Sequence, residues 1–343
     1  MADFPLTFTR LRFECLAETP LRFGEYRAGS NLRGALVNVM RRATCPLSVP
    51  ALPGGVSAPP DPQHVATCPV CWLVAANEKP GVERRGYILT PPLGPVPSYA
   101  PGERFAFHLT LVGEAQRFLP YFVLAVPEAG RMGMGAGRGR FALRRILAER
   151  LDGSEDVLLE EGETVLRPDV SVQSHRDVLA RVDRLLPRDA AGGVLELLLH
   201  FLTPLRLIWN ERLVKSPDFA VLFARLLERV DELAVQFAGG GRRPAQEVER
   251  LQNCALQVRL IEQNTRWVEV ASGSSRTQTQ TWLSGMVGTA RYAAPLAVWR
   301  ELLPWLVWGE VVQVGKDTVK GNGVVHIWME GGVCGDYSAS DRR

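Results

Sequence analysis

The first residues of the chain alternate between polar and apolar, and a helical spacing replaces this alternation further on. The stretch Leu6–Glu18, LTFTRLRFECLAE, has the period of two that is typical of a strand with one buried face. From Gly29 the period changes to that of an amphipathic helix. The apolar residues that share one face of this predicted helix are Leu32, Ala35, Leu36, Val39 and Met40. The pattern therefore predicts a first strand followed by a first helix.

The remainder of the first half continues with strands and one helix. RGYILTPP and ERFAFHLTLVG have the composition of strands, and QRFLPYFVLAVPEAG has that of a helix. After a glycine-rich turn, GMGAGRGRF at 133–141, the stretch RFALRRILAE predicts another strand. The predicted order is βαββαβ.

The second half repeats this order. It begins with the apolar VLELLLHFLTPLRL, continues into the amphipathic SPDFAVLFARLLERVDELAVQFA, and then provides the predicted strands RWVEVAS and TWLSGMVGTARYA. A helix around LAVWRELLPWLVWGE, a glycine-rich turn at 315–325 and the strand GVVHIWME complete it. Two βαββαβ units predict an α+β fold of tandem ferredoxin-like (RRM-like) domains, each with an antiparallel sheet and a glycine-rich loop.

Composition shifts give the predicted domain boundaries. We expect an N-terminal ferredoxin-like domain at 1–151, with a cysteine-rich insertion at 45–71 whose Pro- and Gly-rich part, 46–62, lacks regular structure. The acidic and polar stretch at 152–193 is predicted to be a linker with a short helix near His175–Leu186. A C-terminal ferredoxin-like domain would occupy 194–343.

Charge and hydropathy narrow the class of protein. The 343 residues are 46% hydrophobic and carry a net charge of only +3, so a polyanionic partner would have to meet a local basic patch. The start of the chain lacks the order of a signal peptide, and charged residues or proline interrupt the most apolar windows. We therefore expect a cytoplasmic protein with no membrane partner.

Each of the two glycine-rich loops carries a pair of cations. Arg138 and Arg140 lie in the first loop, and Lys316 and Lys320, half of the four lysines in the chain, lie in the second. Glycine allows a ligand to approach backbone N–H groups, so such loops suit phosphate contacts. A tight connection with solvated charges is the other interpretation of both loops.

A second group of residues has the chemistry of a metal site. Cys45 is followed by His64, Cys68 and Cys71, the last three with the spacing H-x3-C-x2-C. Three thiolates and an imidazole can close a tetrahedral zinc site, which would order an insertion with few apolar residues. A redox dithiol and a chance pairing are the alternatives. We predict a structural zinc at these four residues.

Four segments resemble those of a known family, the CRISPR repeat-processing endoribonucleases of the RAMP superfamily. YRAGSNLRGALVNVMRR, followed by the cysteines, resembles the entry into that family's first helix, and MGMGAGRGRFAL resembles its midchain glycine-rich segment. FLTPLRL is similar to the strand that opens its second domain, and VGKDTVKGNGVVHI is similar to its C-terminal glycine-rich loop. The order and spacing of the segments together carry the resemblance.

The resemblance implies a protein that binds CRISPR repeat RNA and cuts the precursor transcript into guide RNAs without a catalytic metal. In that reaction the 2′-hydroxyl of the RNA attacks the neighbouring phosphate and leaves a 2′,3′-cyclic phosphate. The resemblance also implies RNA contacts for the cations of the two loops and for Arg27. Other CRISPR effector subunits are expected partners.

The expected active site departs from the family. Relatives commonly carry a histidine in or just before the first helix, whereas this chain has Asn38 there and no histidine from Phe4 to Ser48. Tyr26 and Arg33 are the candidate catalytic residues, although neither is a natural base near neutral pH. Slow cleavage, cleavage by a histidine from elsewhere, and RNA binding without cleavage remain open. The runner-up function is a catalytically inactive RNA-binding subunit, and a third is an unrelated enzyme for a small phosphorylated ligand.

Overall fold

The computed structural model describes residues 4–45, 61–75, 85–163, 167, 170–187, 193–273 and 280–329. Most of the stretch predicted to be irregular, residues 46–60, lies outside the described residues. The elements of the first half are, in chain order, β1 (Phe8–Ala17), β2 (Leu21–Arg22), α1 (Ala28–Thr44), α2 (Pro62–Thr67), α3 (Pro69–Ala75), β3 (Tyr87–Thr90), β4 (Ser98–Tyr99), β5 (Arg104–Val112), α4 (Leu119–Met132), β6 (Phe141–Glu149) and β7 (Glu155–Leu159).

The first sheet has the strand order β3-β5-β1-β6-β7, and each neighbouring pair is antiparallel. Without β7 this is the order of a ferredoxin-like unit. Alternate residues of β1, such as Leu11 and Phe13, are buried in one core with Leu32, Leu36 and Phe122 from α1 and α4. The other face of the sheet is therefore open to charged side chains.

Part of the predicted linker belongs to this sheet. Glu155–Leu159 pairs with β6 as the fifth strand, although its acidic residues had suggested a connecting segment. The predicted short helix is present as α5 (His175–Leu185), which begins with a capping box of Ser174 and Asp177. The Nδ1 atom of the buried His175 accepts a hydrogen bond from Trp308 Nε1 at 3.1 Å, so α5 is anchored to the second domain.

The second half contains β8 (Val194–Leu205), β9 (Leu207–Trp209), β10 (Arg212–Val214), α6 (Phe219–Phe237), α7 (Ala245–Ala255), β11 (Arg259–Val268), β12 (Ala271–Gly273), β13 (Gln280–Trp282), β14 (Gly285–Pro295), α8 (Leu296–Val312) and β15 (Val325–Met329). Its sheet has the order β11-β14-β8-β15, again antiparallel throughout. Both halves thus have the predicted ferredoxin-like topology, and the α+β tandem fold is confirmed.

One strand of the second sheet begins seven residues earlier than the sequence pattern predicted. β11 starts at Arg259, whereas the pattern placed its start at Arg266. The strand lies at the edge of the sheet, and almost all of its side chains are exposed or half-exposed. An edge strand exposed on both faces lacks the alternation that a buried face imposes, which explains the error.

The two domains share a core and a set of hydrogen bonds. Phe8 of β1 packs edge-to-face against Trp308 of α8 with ring centroids 5.3 Å apart. The buried Gln313 donates from Nε2 to the backbone oxygen of Leu89 at 2.8 Å and to Thr90 Oγ1 at 3.1 Å. The second domain is therefore held against the strand β3 of the first. No helix among the described residues is both long and apolar enough to cross a membrane.

The open face of the first sheet carries a network of ion pairs around Glu149. Its carboxylate lies 3.2 Å from Arg10 Nε, 3.1 Å from Arg12 Nη1 and 3.2 Å from His108 Nε2. Burial alone would raise the pKa of Glu149, but His108, Arg10 and Arg12 lower it from 4.5 to about 2. The ionised form is thus favoured strongly in the folded protein.

We expect Glu149→Gln to destabilise the protein at neutral pH. A carboxyl pKa lower by about 2.5 in the folded state corresponds to roughly 3 kcal/mol of stability, all of it present above the unfolded value near 4.5. That contribution is lost as the pH falls toward 2. Urea unfolding at pH 7 and pH 3 should show a large deficit in stability that shrinks on acidification, while Glu128→Gln, at a half-exposed surface ion pair, should show little at either pH.

Candidate nucleic-acid interface and metal centre

The segment that leads into α1 has an unusual backbone conformation. Tyr26 has a φ of 48°, in the left-handed region that non-glycine residues seldom adopt, and its N–H donates to the Pro95 oxygen at 2.8 Å. The N–H of Phe23 donates to the Pro97 oxygen at 3.0 Å. These bonds tie residues 23–26 to the loop before β4, and strain of this kind is concentrated at functional sites.

The side chain of Tyr26 reaches across to the second domain. It packs against a small apolar cluster of that domain, formed by Val268, Val270, Leu283 and Val287. Burial raises the pKa of the Tyr26 phenol, while nearby Arg266 lowers it and Glu25 raises it. The net direction is upward, so the hydroxyl keeps its proton at neutral pH and can donate a hydrogen bond.

The second glycine-rich loop folds back on the second sheet. Gly315, Asp317, Gly321 and Gly323 all have positive φ, and a Cβ on Gly323 would lie 1.8 Å from the Val314 oxygen. The buried Asn322 donates from Nδ2 to the Leu283 oxygen at 2.9 Å. The glycines of this loop are thus required by its fold, whatever it binds.

The same loop touches the beginning of α1. A Cβ on Gly29 would lie 2.1 Å from the Lys320 oxygen and 3.0 Å from the Gly321 Cα. A glycine in the first turn of α1 therefore lets the backbones of the two domains meet. This contact brings the start of α1, which directly follows Tyr26 and Arg27, onto the loop that carries Lys316 and Lys320.

Further cations surround this junction, and the sequence analysis missed them. The backbone oxygen of Arg206 accepts from the Lys316 N–H at 3.1 Å, and the Lys215 ammonium lies 5.2 Å from the centre of the Trp267 ring. Hydrogen bonds from Ser284 and Trp267 lower the pKa of Glu269, and Lys215 and Arg206 add to this effect. Lys215 could have been noticed as one of only four lysines, but no motif marks the arginines.

We call these residues the junction cluster: Tyr26, Arg27, Arg206, Lys215, Arg266, Lys316 and Lys320. Lys316 is exposed, and Lys320 is half-buried with its ammonium 2.8 Å from Asp317 Oδ1. Arg27 and Arg266 are exposed. Five of the six cations in the junction cluster come from the second domain. Arg27 comes from the first domain, close to the backbone contact at Gly29.

The first glycine-rich loop lies further along the same segment. A Cβ on Gly135 would lie 2.3 Å from the Arg22 oxygen, and one on Gly139 would lie 2.5 Å from the Pro20 oxygen. Arg138 and Arg140 are both exposed. Both loops therefore contact the stretch between Pro20 and Gly29, the first loop at its beginning and the second at its end.

The remaining predicted site residues lie along α1. Arg33 is half-buried and donates from Nε to the Tyr87 hydroxyl at 3.2 Å, so part of its guanidinium is used inside the first domain. Asn38, at the position where relatives would have a histidine, is exposed. A role for Arg33 and Tyr26 in catalysis remains a prediction.

The structure brings the four predicted metal ligands together at the other end of α1. Cys45 directly follows α1, and His64 lies in α2. Cys68 lies between α2 and α3, and Cys71 lies in α3. Their ligand atoms all lie within 4.8 Å of one another. Cys45 Sγ is 3.5 Å from His64 Nε2 and 3.7 Å from Cys71 Sγ.

This geometry fits a zinc ion. Four ligands at the usual Zn–S distance of about 2.3 Å place neighbouring sulfurs about 3.8 Å apart in a tetrahedron, close to the observed separation of Cys45 and Cys71. The three thiols are buried, and burial together with the neighbouring thiols raises the pKa of Cys71 to about 12. Zinc would hold the thiols as thiolates, which burial alone disfavours.

Comparison with known proteins adds to this picture. Residues 6–171 match a family model described as the AF_1859_N N-terminal domain, and residues 199–325 match the model of the CRISPR-associated endoribonuclease Cas6. No curated protein matches the sequence significantly.

Solved structures with the same fold include Cas6 of Thermus thermophilus, at 15% identity and a TM-score of 0.55, over 94% of this chain and 98% of that one. A Cas6 product complex matches at 17% identity and 0.54, over 93% and 98% of the two chains. A partial Cas6-RT-Cas1–Cas2 complex matches at 12% identity and 0.60, over 96% of this chain and 47% of that one.

The fold defines a class, proteins built from tandem ferredoxin-like domains. Within that class, the family model covers most of the second domain, and the Cas6 fold extends over nearly the whole chain. The second domain thus matches the Cas6 endoribonuclease family, and nearly the whole chain has the fold of the solved Cas6 structures. The resemblance found in the sequence is thereby confirmed.

Proposed function

We propose that this protein binds CRISPR repeat RNA at the junction cluster and cuts the precursor transcript there into guide RNAs. The observation that carries the proposal is the contact between Gly29 and Lys320, which joins the Arg27 end of the first domain to a part of the second domain rich in cations. There Arg206 contacts the Lys316 backbone, Arg206 and Lys215 act on Glu269, and Arg266 acts on Tyr26. A protein with a net charge of only +3 has a weak overall field, so a local group of cations is what an RNA backbone would meet.

The proposed reaction needs no metal ion at the scissile phosphate. The 2′-hydroxyl loses its proton and attacks the phosphorus, the bond to the 5′-oxygen breaks, and that oxygen receives a proton. Lys316, Arg27 and Arg33 would stabilise the charge on the phosphate, and the protonated Tyr26 would donate a hydrogen bond to it. Arg138 and Arg140 would hold the RNA backbone further along the surface.

A second function is supported by the composition of α1. Its exposed Asn38 cannot act as a base, and the raised pKa of Tyr26 makes the phenol a poor one. A protein that holds RNA without cutting it, as a subunit of a CRISPR assembly, would need only the cations. The structural match to a chain of a Cas6-RT-Cas1–Cas2 complex supports contacts with other CRISPR proteins in either case.

Incubation with repeat RNA separates the two functions. The nuclease should give a discrete product that ends in a 2′,3′-cyclic phosphate in magnesium-free buffer, with EDTA added together with the RNA. The subunit should bind the same RNA tightly and leave it intact. Failure to bind repeat RNA in preference to a scrambled RNA would contradict both.

Replacing Lys316 and Lys320 with alanine tests the junction cluster directly. If both ammonium groups meet phosphates, affinity should fall roughly 10- to 30-fold near 0.1 M salt, and the slope of log K against log salt should shrink by about 1.4. The ion pair of Lys320 with Asp317 is half-exposed, so the thermal midpoint should hardly change.

The double variant Arg131→Ala, Arg167→Ala is the matched control. It removes the same charge from two exposed positions that also pair with nearby glutamates, and RNA affinity should be close to that of the wild type. Equal affinity and equal salt dependence in the lysine variant would rule out phosphate contacts at the second glycine-rich loop.

A further inference from the structure

Two histidines lie directly opposite each other on the open face of the second sheet. His200 of β8 and His326 of β15 are partners in the antiparallel register. Residues in this relation have Cβ atoms about 5 Å apart and project from the same face. His200 is exposed and His326 is half-buried, while their neighbours Leu199 and Ile327 face the core.

A buried carboxylate holds one of the two imidazoles. Glu310 of α8, whose side chain is 8% exposed, lies 2.6 Å from His326 Nδ1 and accepts a hydrogen bond from the Ile327 N–H at 3.0 Å. Arg181 of α5 lies 3.6 Å from the same carboxylate. Burial alone would raise the pKa of Glu310, but His326 and Arg181 lower it, so Glu310 is an anion at neutral pH.

The environment of His200 favours a neutral imidazole. Burial and the neighbouring His326 lower the pKa of His200, so the neutral imidazole predominates near neutral pH. An imidazole next to a carboxylate and a neutral imidazole opposite it are the two groups that general acid–base cleavage of RNA requires. No group on α1 offers this combination.

The pair lies close to the junction cluster. Val287, a member of the apolar cluster against which Tyr26 packs, precedes Thr289 by two residues on β14, and Thr289 is the register partner of His200. β15 begins just after the second glycine-rich loop, so His326 follows Lys320 by six residues. RNA held at the cluster can therefore extend over this face.

An aromatic side chain continues the same row of β15. Trp328 is the next outward-facing residue after His326 and is 43% exposed. An exposed tryptophan on a sheet face is a stacking platform for a base of single-stranded RNA. The face thus offers a place for a nucleotide beside the two imidazoles.

We propose that His200 and His326 form the acid–base pair that cuts the RNA, in the place of the histidine missing from α1. The inference rests on the proposed ribonuclease function. His200 accepts the proton of the 2′-hydroxyl as the new O2′–P bond forms. His326 gives its proton to the 5′-oxygen as the P–O5′ bond breaks. The products are a 2′,3′-cyclic phosphate and a 5′-hydroxyl, and Glu310 is a positioning residue for His326.

Single-turnover cleavage of repeat RNA tests the pair. His200→Ala and His326→Ala should each lower the rate by 10²- to 10⁴-fold and leave RNA affinity near the wild-type value. The thermal midpoint should stay near the wild-type value in His200→Ala but fall in His326→Ala, which removes a partner of the buried Glu310. The control is His108→Ala, a histidine on the open face of the first sheet, which should cut at the wild-type rate. Glu310→Gln should lower the rate less than His326→Ala.

A modified substrate separates the two roles. An RNA with sulfur in place of the scissile 5′-oxygen has a leaving group that needs no protonation. His326→Ala should cut this RNA at nearly the wild-type rate, whereas His200→Ala should stay slow. A merely structural role for either histidine would not produce this difference.

The outcomes distinguish the two proposals. If the wild type cuts repeat RNA and both histidine variants cut it equally fast, the acid–base pair is wrong and the ribonuclease function stands. If the wild type binds repeat RNA and never cuts it, both the pair and the ribonuclease function are wrong. Slow cleavage by both variants without rescue of His326→Ala by the sulfur substrate would also overturn the assigned roles.

Discussion

Replacing Gly29 with alanine is expected to destabilise the protein and weaken RNA binding, although alanine is normally the better helix former. The added Cβ would lie 2.1 Å from the Lys320 oxygen, a separation that no real structure tolerates. Because both groups belong to backbone, either α1 or the second glycine-rich loop must move. We expect a net loss of about 2 kcal/mol of stability, the overpacking cost exceeding the helix propensity gained.

The matched control lies in the same helix. Gly34 is exposed, and a Cβ there would meet no heavy atom within 4 Å, so Gly34→Ala should stabilise the protein by about 1 kcal/mol. Thermal unfolding and RNA affinity of the two variants would be compared. If Gly29→Ala were as stable as Gly34→Ala and bound RNA normally, the close contact between the domains would have no role in the junction cluster.

Replacing Cys68 with serine is expected to remove a tightly bound zinc and to loosen the end of α1. We propose that the ion joins Cys45, at the end of α1, to the short helices α2 and α3, so its loss should expose apolar surface around them. Structural zinc sites contribute on the order of 10 kcal/mol to the folding of small domains. Other core contacts remain in this larger protein, so we expect Cys68→Ser to fold but to have a much lower thermal midpoint.

Metal analysis and unfolding check this prediction. The wild type should hold one zinc per chain, Cys68→Ser should hold far less, and Cys254→Ser, outside the cluster, should keep its zinc and its midpoint. A fully folded wild type that contains well under one zinc per chain, and a Cys68→Ser variant with unchanged stability, would together eliminate the metal site.

Much of the fold could be predicted from local patterns. Strands such as β1 and helices such as α6 each bury one face, and a buried face imposes a period that is visible in the sequence. The cluster of candidate metal ligands was also predictable, because the spacing of His64, Cys68 and Cys71 is local and Cys45 ends a predicted helix. β7 and β11 were harder to predict, since polar strands at the edges of sheets show no such period.

Some residues of the candidate site could be recognised in the sequence, and others could not. Lys316 and Lys320 stood out as half of all the lysines, and the glycines around them marked a tight loop. Arg206, Arg266 and the pair of His200 and His326 carried no local signal. Their neighbours are set by strand register and by the packing of one domain on the other, which join residues far apart in the chain.

The sequence by itself determined the two βαββαβ units, their glycine-rich loops and the set of candidate metal ligands, because each depends on residues near one another in the chain. Only the tertiary structure decided where the loops lie. The contact of Gly29 with Lys320 places the first helix of one domain on the loop of the other, and the register of β8 and β15 sets His200 opposite His326. Both arrangements arise from packing and hydrogen bonding between distant segments, which no local period encodes.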